Sequence, residues 1–120
     1  MHYHDEYSHM ICFIIPHNQD AIEKHNHGIE DTNIMTIVLL EEKDINTLWE
    51  IKFFDELNQK FGLMISTGEN ESISGQELLK KVLILTTQYI NRYPENHYLY
   101  IIKDLLEEAI EKKTELNIYL

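Results

Sequence analysis

The sequence predicts a small α+β domain with two or three strands, mainly in the N-terminal half, and two long C-terminal helices. Short β-branched apolar runs occur in the first half, whereas apolar residues spaced three and four apart dominate the second. The 120 residues suit a single domain, 1–120, because two independent cores would be hard to fit. An all-α bundle is the alternative, and the choice depends on residues 34–40.

Three segments have the composition of strands. Residues 10–15 are apolar, β-branched and aromatic, and Pro16 closes the run, which predicts a buried strand. Residues 33–40 predict a second strand because their Ile, Thr and Val residues favour the extended state, although this segment also tolerates a helix. Residues 62–66 are a third, short candidate. The polar segment 67–74 is predicted to be a surface loop.

Two helices are predicted between these strands. Asp20 is expected to cap a short helix that Gly28 ends. Asp44 is the expected N-cap of a longer helix, which ends at Gly62. The apolar residues of this second helix are spaced three and four apart and would lie on one face. They are Ile45, Leu48, Trp49, Phe53, Leu57 and Phe61.

The two C-terminal helices have the clearest patterns. Residues 74–77 (SGQE) match the S-x-x-E capping box, which predicts a helix start. With Ile84 included, the helix over 75–92 is apolar around much of its circumference and is predicted to be central. Pro94 is expected to end this helix or to begin the next one. Residues 116–120 are predicted to form an edge strand or to dock on the core. The apolar stripe of the last helix is Leu99, Ile102, Leu106, Ala109 and Ile110.

The chain is strongly acidic, with 21 Asp and Glu residues, 10 Lys and Arg residues and a formal net charge of -11. Such a surface repels nucleic-acid phosphates and anionic membranes, and Arg92 as the only arginine leaves no basic patch for direct nucleic-acid binding. The same charge attracts basic partners. The polar start, the short apolar runs and a single Cys12 predict a cytoplasmic protein that does not span a membrane.

Histidine is concentrated in the first 27 residues. Its spacing there allows a zinc or nickel site, but it does not match H-E-x-x-H. We therefore interpret these histidines as part of a solvated N-terminus and predict no metal and no other cofactor. Cys12 lies in an apolar run and is expected to be a buried, inert thiol. The six N-terminal histidines are His2, His4, His9, His17, His25 and His27.

The sequence is not predicted to be an enzyme. It contains no glycine-rich phosphate loop, no G-x-S-x-G and no cysteine–histidine pair in a recognised context. The carboxylate pairs at residues 41–42 and 107–108 are sequence neighbours, and a catalytic pair needs two distinct environments. Both pairs are expected to be solvated.

Four tyrosines cluster around Pro94, and tyrosine is enriched at protein interfaces. Tyr89 and Tyr98 are expected to pack between the two helices, with at least one of Tyr93 and Tyr100 exposed. Together with acidic residues of the 67–74 loop, these tyrosines predict a surface for a basic protein partner. The predicted partner-binding residues are Glu69, Glu71, Tyr93, Glu95 and Tyr100.

In size, acidity and the polar loop followed by a capped helix at residues 68–90, the chain resembles bacterial immunity proteins, including those of contact-dependent growth inhibition systems. The resemblance implies a cognate toxin partner, such as a nuclease, whose basic active site is covered by carboxylates that stand in for phosphates. Two alternatives stay open. One is an acidic nucleic-acid mimic that inhibits a defence enzyme, and the other is a histidine-rich metal-binding domain.

Overall fold

Four antiparallel strands form one sheet in the computed structural model, which describes residues 11–26 and 34–120. The strands are β1 (Ile11–Pro16), β2 (Met35–Leu40), β3 (Asn70–Ile73) and β4 (Leu116–Tyr119), in the order β2-β1-β4-β3. The helices of the described residues are α1 (Gln19–Asn26), α2 (Glu42–Glu50), α3 (Phe53–Phe61), α4 (Gln76–Arg92) and α5 (His97–Glu111). The predicted α+β class and the two long C-terminal helices are confirmed.

The two faces of the sheet have different packing partners. Successive side chains of a strand point to opposite faces. Phe13 and Ile15 therefore join the large core with helices α2 to α5, whereas Cys12 and Ile14 pack on the other face against Ala21 of α1. Cys12 is fully buried, as predicted.

The predicted helix over 44–62 is wrong as one element, because it is two helices. Lys52 adopts the left-handed conformation with φ 66°, and its backbone N–H donates to the Trp49 carbonyl at 3.0 Å. Successive helical residues point about 100° apart. Phe53 and Phe54, the first two residues of α3, are nevertheless both fully buried directly after the break.

The first two helix starts also differ from the predictions. The N-cap of α2 is Glu41, whose backbone N–H donates to Asp44 Oδ2 at 3.0 Å. Asn18 Oδ1 accepts a hydrogen bond from Ala21 N–H at 2.9 Å at the start of α1. Asp44 and Asp20 are therefore not N-caps but lie inside the first turns of their helices. A carboxylate in a first turn interacts favourably with the positive end of the helix dipole. The predicted end at Gly28 lies outside the described residues.

The capping box predicted at residues 74–77 does not form. The N-cap of α4 is Gly75, with φ 91° and no side-chain hydrogen bond to the cap. A positive φ is easily adopted only by glycine. Gly75 therefore takes the N-cap position, and Ser74 lies one residue before it. Ile84 is 60 % exposed and other residues along α4 are exposed too, so the prediction that α4 is the central helix is wrong.

The third strand lies later than predicted. Residues 62–66 form neither a helix nor a strand, and the backbone of Ile65 pairs with a side chain. Asn58 Nδ2 donates to the Ile65 carbonyl at 2.9 Å, and Ile65 N–H donates to Asn58 Oδ1 at 2.8 Å. The strand β3 lies inside the predicted loop 67–74. Ile73 is its one buried residue, so its sequence has no apolar pattern of a strand. It forms a strand because its backbone pairs with that of β4.

The C-terminal strand β4 lies between β1 and β3, which corrects its prediction as an edge strand. Ile118 pairs with Phe13 in β1, and Asn117 pairs with Ser72 in β3. Leu116 and Ile118 are buried in the large core. The sheet therefore has four strands, two of them from the second half of the chain.

Within the described residues, no helix has the length and apolarity required to cross a membrane.

Candidate protein-binding site

The turn between α4 and α5, residues 93–96, is tied to α2 by polar side chains; we call it the elbow. Asn96 is the N-cap of α5, and its Oδ1 accepts from Tyr98 N–H at 3.1 Å. Asn96 Nδ2 donates to Thr47 Oγ1 at 3.4 Å. Tyr98 hydroxyl donates to Asp44 Oδ1 at 2.5 Å. These contacts hold the start of α5 against α2.

The hydrogen bond between Tyr98 and Asp44 changes the acidity of both groups. The Tyr98 hydroxyl and, to a lesser extent, the Glu41 backbone N–H hold the pKa of Asp44 below its usual value. The same hydrogen bond raises the pKa of Tyr98, and desolvation of the hydroxyl is the second largest cause. Asp44 therefore stays ionised and Tyr98 stays a donor over the usual physiological range.

A row of aromatic rings supports the elbow. Tyr89 is buried, and its hydroxyl donates to Glu56 Oε1 of α3 at 2.6 Å. Burial and this hydrogen bond raise the pKa of Tyr89 to about 12. The half-buried Tyr93 ring stacks on Tyr89 with centroids 6.0 Å apart, and the Arg92 guanidinium lies 4.6 Å from the centroid of the Tyr89 ring. Tyr93 is thus held in place by a ring that cannot move freely.

A cavity of about 340 Å³ lies between the C-terminal end of α2 and the elbow; we call it the elbow cavity. Glu50 of α2 and Glu95 of the elbow both line it, and both are exposed. Among the described residues, neither carboxylate makes an ion pair. The other residues that line the elbow cavity are Thr47, Ile51, Tyr93, Asn96, His97 and Tyr98. The elbow cavity therefore combines two carboxylates that lack an ion pair among the described residues with the aromatic surface of two tyrosines.

A larger cavity of about 580 Å³ beside α3 is a weaker candidate. It is lined by Lys52, Asp55, Glu56, Gln59 and Lys60. Its two lysines balance its two carboxylates, and no aromatic ring lines it. Size alone does not give specificity, which comes from a few placed polar groups beside apolar surface. We therefore take the elbow cavity as the candidate site.

Three of the predicted partner-binding residues lie together at the elbow. Tyr93 and Glu95 line the elbow cavity. Tyr100 is 40 % exposed, and its hydroxyl donates to the Pro94 carbonyl at 3.1 Å. The prediction that at least one of Tyr93 and Tyr100 is exposed is therefore confirmed.

Glu69 and Glu71 lie at the opposite end of α4, which with 17 residues is about 25 Å long. Glu69 is exposed. Glu71 is half-buried, and its two carboxylate oxygens accept hydrogen bonds from Met64 N–H at 2.8 Å and Ser72 N–H at 2.9 Å. Glu71 therefore holds the connection before β3, which differs from its predicted role as a carboxylate free to meet a partner.

The contribution of α2 to the site was missed by sequence reasoning. Glu50 and Ile51 were placed inside one long predicted helix, where no C-terminal end was expected. The break that follows them occurs at Lys52, and neither glycine nor proline marks it in the sequence. No local signal therefore indicates that Glu50 lines the same cavity as Glu95.

Five of the six N-terminal histidines, His2, His4, His9, His25 and His27, lie outside the described side chains. His17 Nε2 lies 2.8 Å from Thr36 Oγ1. In the part of the chain that the structure describes, no group of three or more His, Cys, Asp or Glu side chains could hold a metal ion.

Within the described part of the chain, the elbow cavity thus combines two carboxylates that lack an ion pair with two ordered tyrosines. Comparison of the chain with protein-family models, curated proteins and solved structures gives no match, so the candidate site is defined by its own geometry.

Proposed function

We propose that this protein is an immunity protein that acts in the cytoplasm, where it binds and neutralises a basic toxin domain such as a nuclease. The observation that supports this function is the elbow cavity, where Glu50 and Glu95, which make no ion pair with any described residue, lie beside Tyr93 and Tyr98. A basic surface is the complement of this arrangement.

The charge around the elbow differs from that on the outer faces of the helices. Three lysines form ion pairs one helical turn from their partners: Lys81 with Glu77, Lys103 with Glu107 and Lys112 with Glu108. Such pairs offset the acidic faces of α4 and α5. No lysine lines the elbow cavity, so its carboxylates stay available to a partner.

The tyrosines and the carboxylates would contribute in different ways. Exposed ion pairs contribute little affinity, about 0–1 kcal/mol each, but opposite charges accelerate association. Ordered aromatic rings are enriched among the residues that dominate binding energy. We therefore assign affinity mainly to Tyr93 and speed of capture mainly to Glu50 and Glu95.

Neutralisation follows from the charge of the partner. A nuclease binds phosphates with Lys and Arg side chains. Carboxylates placed over those side chains would occupy the positions of phosphates and exclude the nucleic acid. The net charge of -11 would guide the protein to such a site.

The test uses a purified toxin domain encoded next to this protein and compares binding kinetics and toxin inhibition. Tyr93→Ala should raise the dissociation rate, at a cost of about 2 kcal/mol if the ring is a hot spot. The double variant Glu50→Lys, Glu95→Lys should mainly slow association.

The matched control is Glu69→Lys, an exposed glutamate at the other end of α4. It should change association less than the single reversals Glu50→Lys and Glu95→Lys, with which it is compared charge for charge. Glu71 is avoided because it holds backbone N–H groups. If the elbow variants bind and inhibit as the parent does, the proposed contact surface is wrong; if no adjacent basic toxin is bound at all, the proposed function is wrong.

A further inference from the structure

We infer that the elbow cavity receives one arginine side chain of the partner. This inference rests on the proposed function for the identity of the partner, but the ligand chemistry of the cavity can be tested without it. A volume of about 340 Å³ is at the lower end of the range of ligand sites, which suits one long side chain better than a larger ligand.

Two carboxylates supply the charge that a cation needs. Glu50 comes from the last turn of α2 and Glu95 from the elbow, so they reach the cavity from different elements. The helix ends nearby contribute little net charge. The C-terminal ends of α2 and α4 are negative, but the starts of α3 and α5 follow within a few residues and are positive.

Aromatic surface favours a guanidinium over an ammonium group. Tyr93 and Tyr98 line the cavity, and a planar guanidinium stacks on such rings while donating hydrogen bonds in its plane. The protein already contains this contact beside the cavity, where the Arg92 guanidinium lies 4.6 Å from the centroid of the Tyr89 ring. Arg92 itself does not line the cavity.

The positions of these rings are set before a ligand arrives. Tyr98 is held by Asp44, and Tyr93 is stacked on the buried Tyr89. Asn96 fixes the start of α5 through Tyr98 N–H and Thr47. A preorganised site loses less freedom on binding, which favours a single anchoring side chain.

The experiment is an NMR titration of the purified protein with N-acetyl-arginine amide, and separately with N-acetyl-lysine amide, at slightly alkaline pH so that imidazoles are neutral. The arginine probe should cause saturable shifts of the Ile51, Tyr93 and His97 amides, with a dissociation constant of about 1–10 mM. The lysine probe should bind several-fold more weakly.

Variants locate the binding. Glu50→Gln and Glu95→Gln should each weaken arginine binding several-fold, whereas the control Glu69→Gln should leave it unchanged. The absence of saturable shifts at tens of millimolar, equal binding of the lysine probe, or unchanged binding in the Glu50→Gln, Glu95→Gln double variant would each overturn the inference. If the arginine probe binds but no toxin domain is bound, the inference about the cavity stands and the proposed function is wrong. If a toxin domain binds at the elbow but the arginine probe does not bind, the proposed function stands and the inference is wrong.

Discussion

Individual side chains connect the sheet of this protein to its last helix. The Thr36 hydroxyl donates to Glu108 Oε2 at 2.5 Å and lies 2.8 Å from His17 Nε2. Lys112 Nζ lies 3.1 Å from the same carboxylate oxygen. Burial by itself would raise the pKa of Glu108, but the hydrogen bonds from Thr36 and Lys112, with the charges of Lys112 and His17, lower it below its usual value. A glutamate predicted to be solvated therefore joins β2 to α5.

This network predicts a stability change that depends on pH. A carboxylate whose folded-state pKa is lowered stabilises the fold above its ordinary pKa of about 4.3, and this contribution is lost as the pH falls through the folded-state value. Thr36→Val should lower the free energy of unfolding by about 1 kcal/mol near neutral pH. The difference from the parent should shrink below about pH 4, as measured by urea unfolding over a pH series.

The control for Thr36→Val is Thr87→Val, which makes the same change at an exposed hydroxyl bonded only to the Leu83 carbonyl of its own helix. Its effect should not depend on pH. A Thr36→Val difference that is as large under acid conditions as at neutral pH would show that Glu108 does not carry the effect.

At the scale of elements, the connection between α3 and β3 is ordered by one amide side chain. Asn58 makes two hydrogen bonds to the backbone of Ile65, in the pattern that a neighbouring strand would make. Ile65 itself is buried in the large core. The sequence of residues 62–66 predicts a strand because it has the apolar pattern of one, but the side chain of Asn58 replaces the partner strand.

Removal of this amide should destabilise the protein more than removal of its neighbour. Asn58→Ala leaves a partly buried N–H and carbonyl of Ile65 unpaired and should lower the free energy of unfolding by about 2 kcal/mol. Gln59→Ala, on the same helix at an exposed position, should change it by less than about 0.5 kcal/mol. Equal losses in chemical denaturation would mean that Asn58 acts only through helix propensity.

The molecule as a whole is acidic, and two of its carboxylates lie beside one aromatic surface. The chain has a net charge of -11, and the elbow cavity holds two carboxylates that lack an ion pair among the residues described. Electrostatic capture by such a molecule acts over distances comparable with the Debye length, about 10 Å at 0.1 M salt. The affinity that remains at high salt must come from shorter-range contacts such as those of Tyr93.

The rate of association with the basic partner should therefore fall steeply as salt rises, while the dissociation rate changes little. Glu50→Gln, Glu95→Gln should flatten this dependence, because it removes the two charges closest to the contact. Stopped-flow association measured over a salt series checks both expectations. A parent association rate that is the same at low and high salt would contradict electrostatic capture.

Sequence alone was sufficient where the signal is local. The β-branched run before Pro16 and the three-and-four spacing of residues 99–110 predict β1 and α5, since periodicity depends only on which neighbours share a face. The same reasoning placed Tyr93 and Glu95 beside each other at the elbow, because they are two residues apart.

The tertiary structure decided what depends on distant parts of the chain. The polar strand β3 exists because β4, more than 40 residues later, pairs with its backbone. Phe53 and Phe54 are both buried in one core directly after the break at Lys52. Helix propensity depends on neighbouring residues and does not indicate this burial. The elbow cavity needs Glu50 and Glu95 to line the same space, which depends on the packing of α2 against α5. Chain periodicity thus determined elements such as β1 and α5, whereas long-range packing determined β3 and which charges line the elbow cavity.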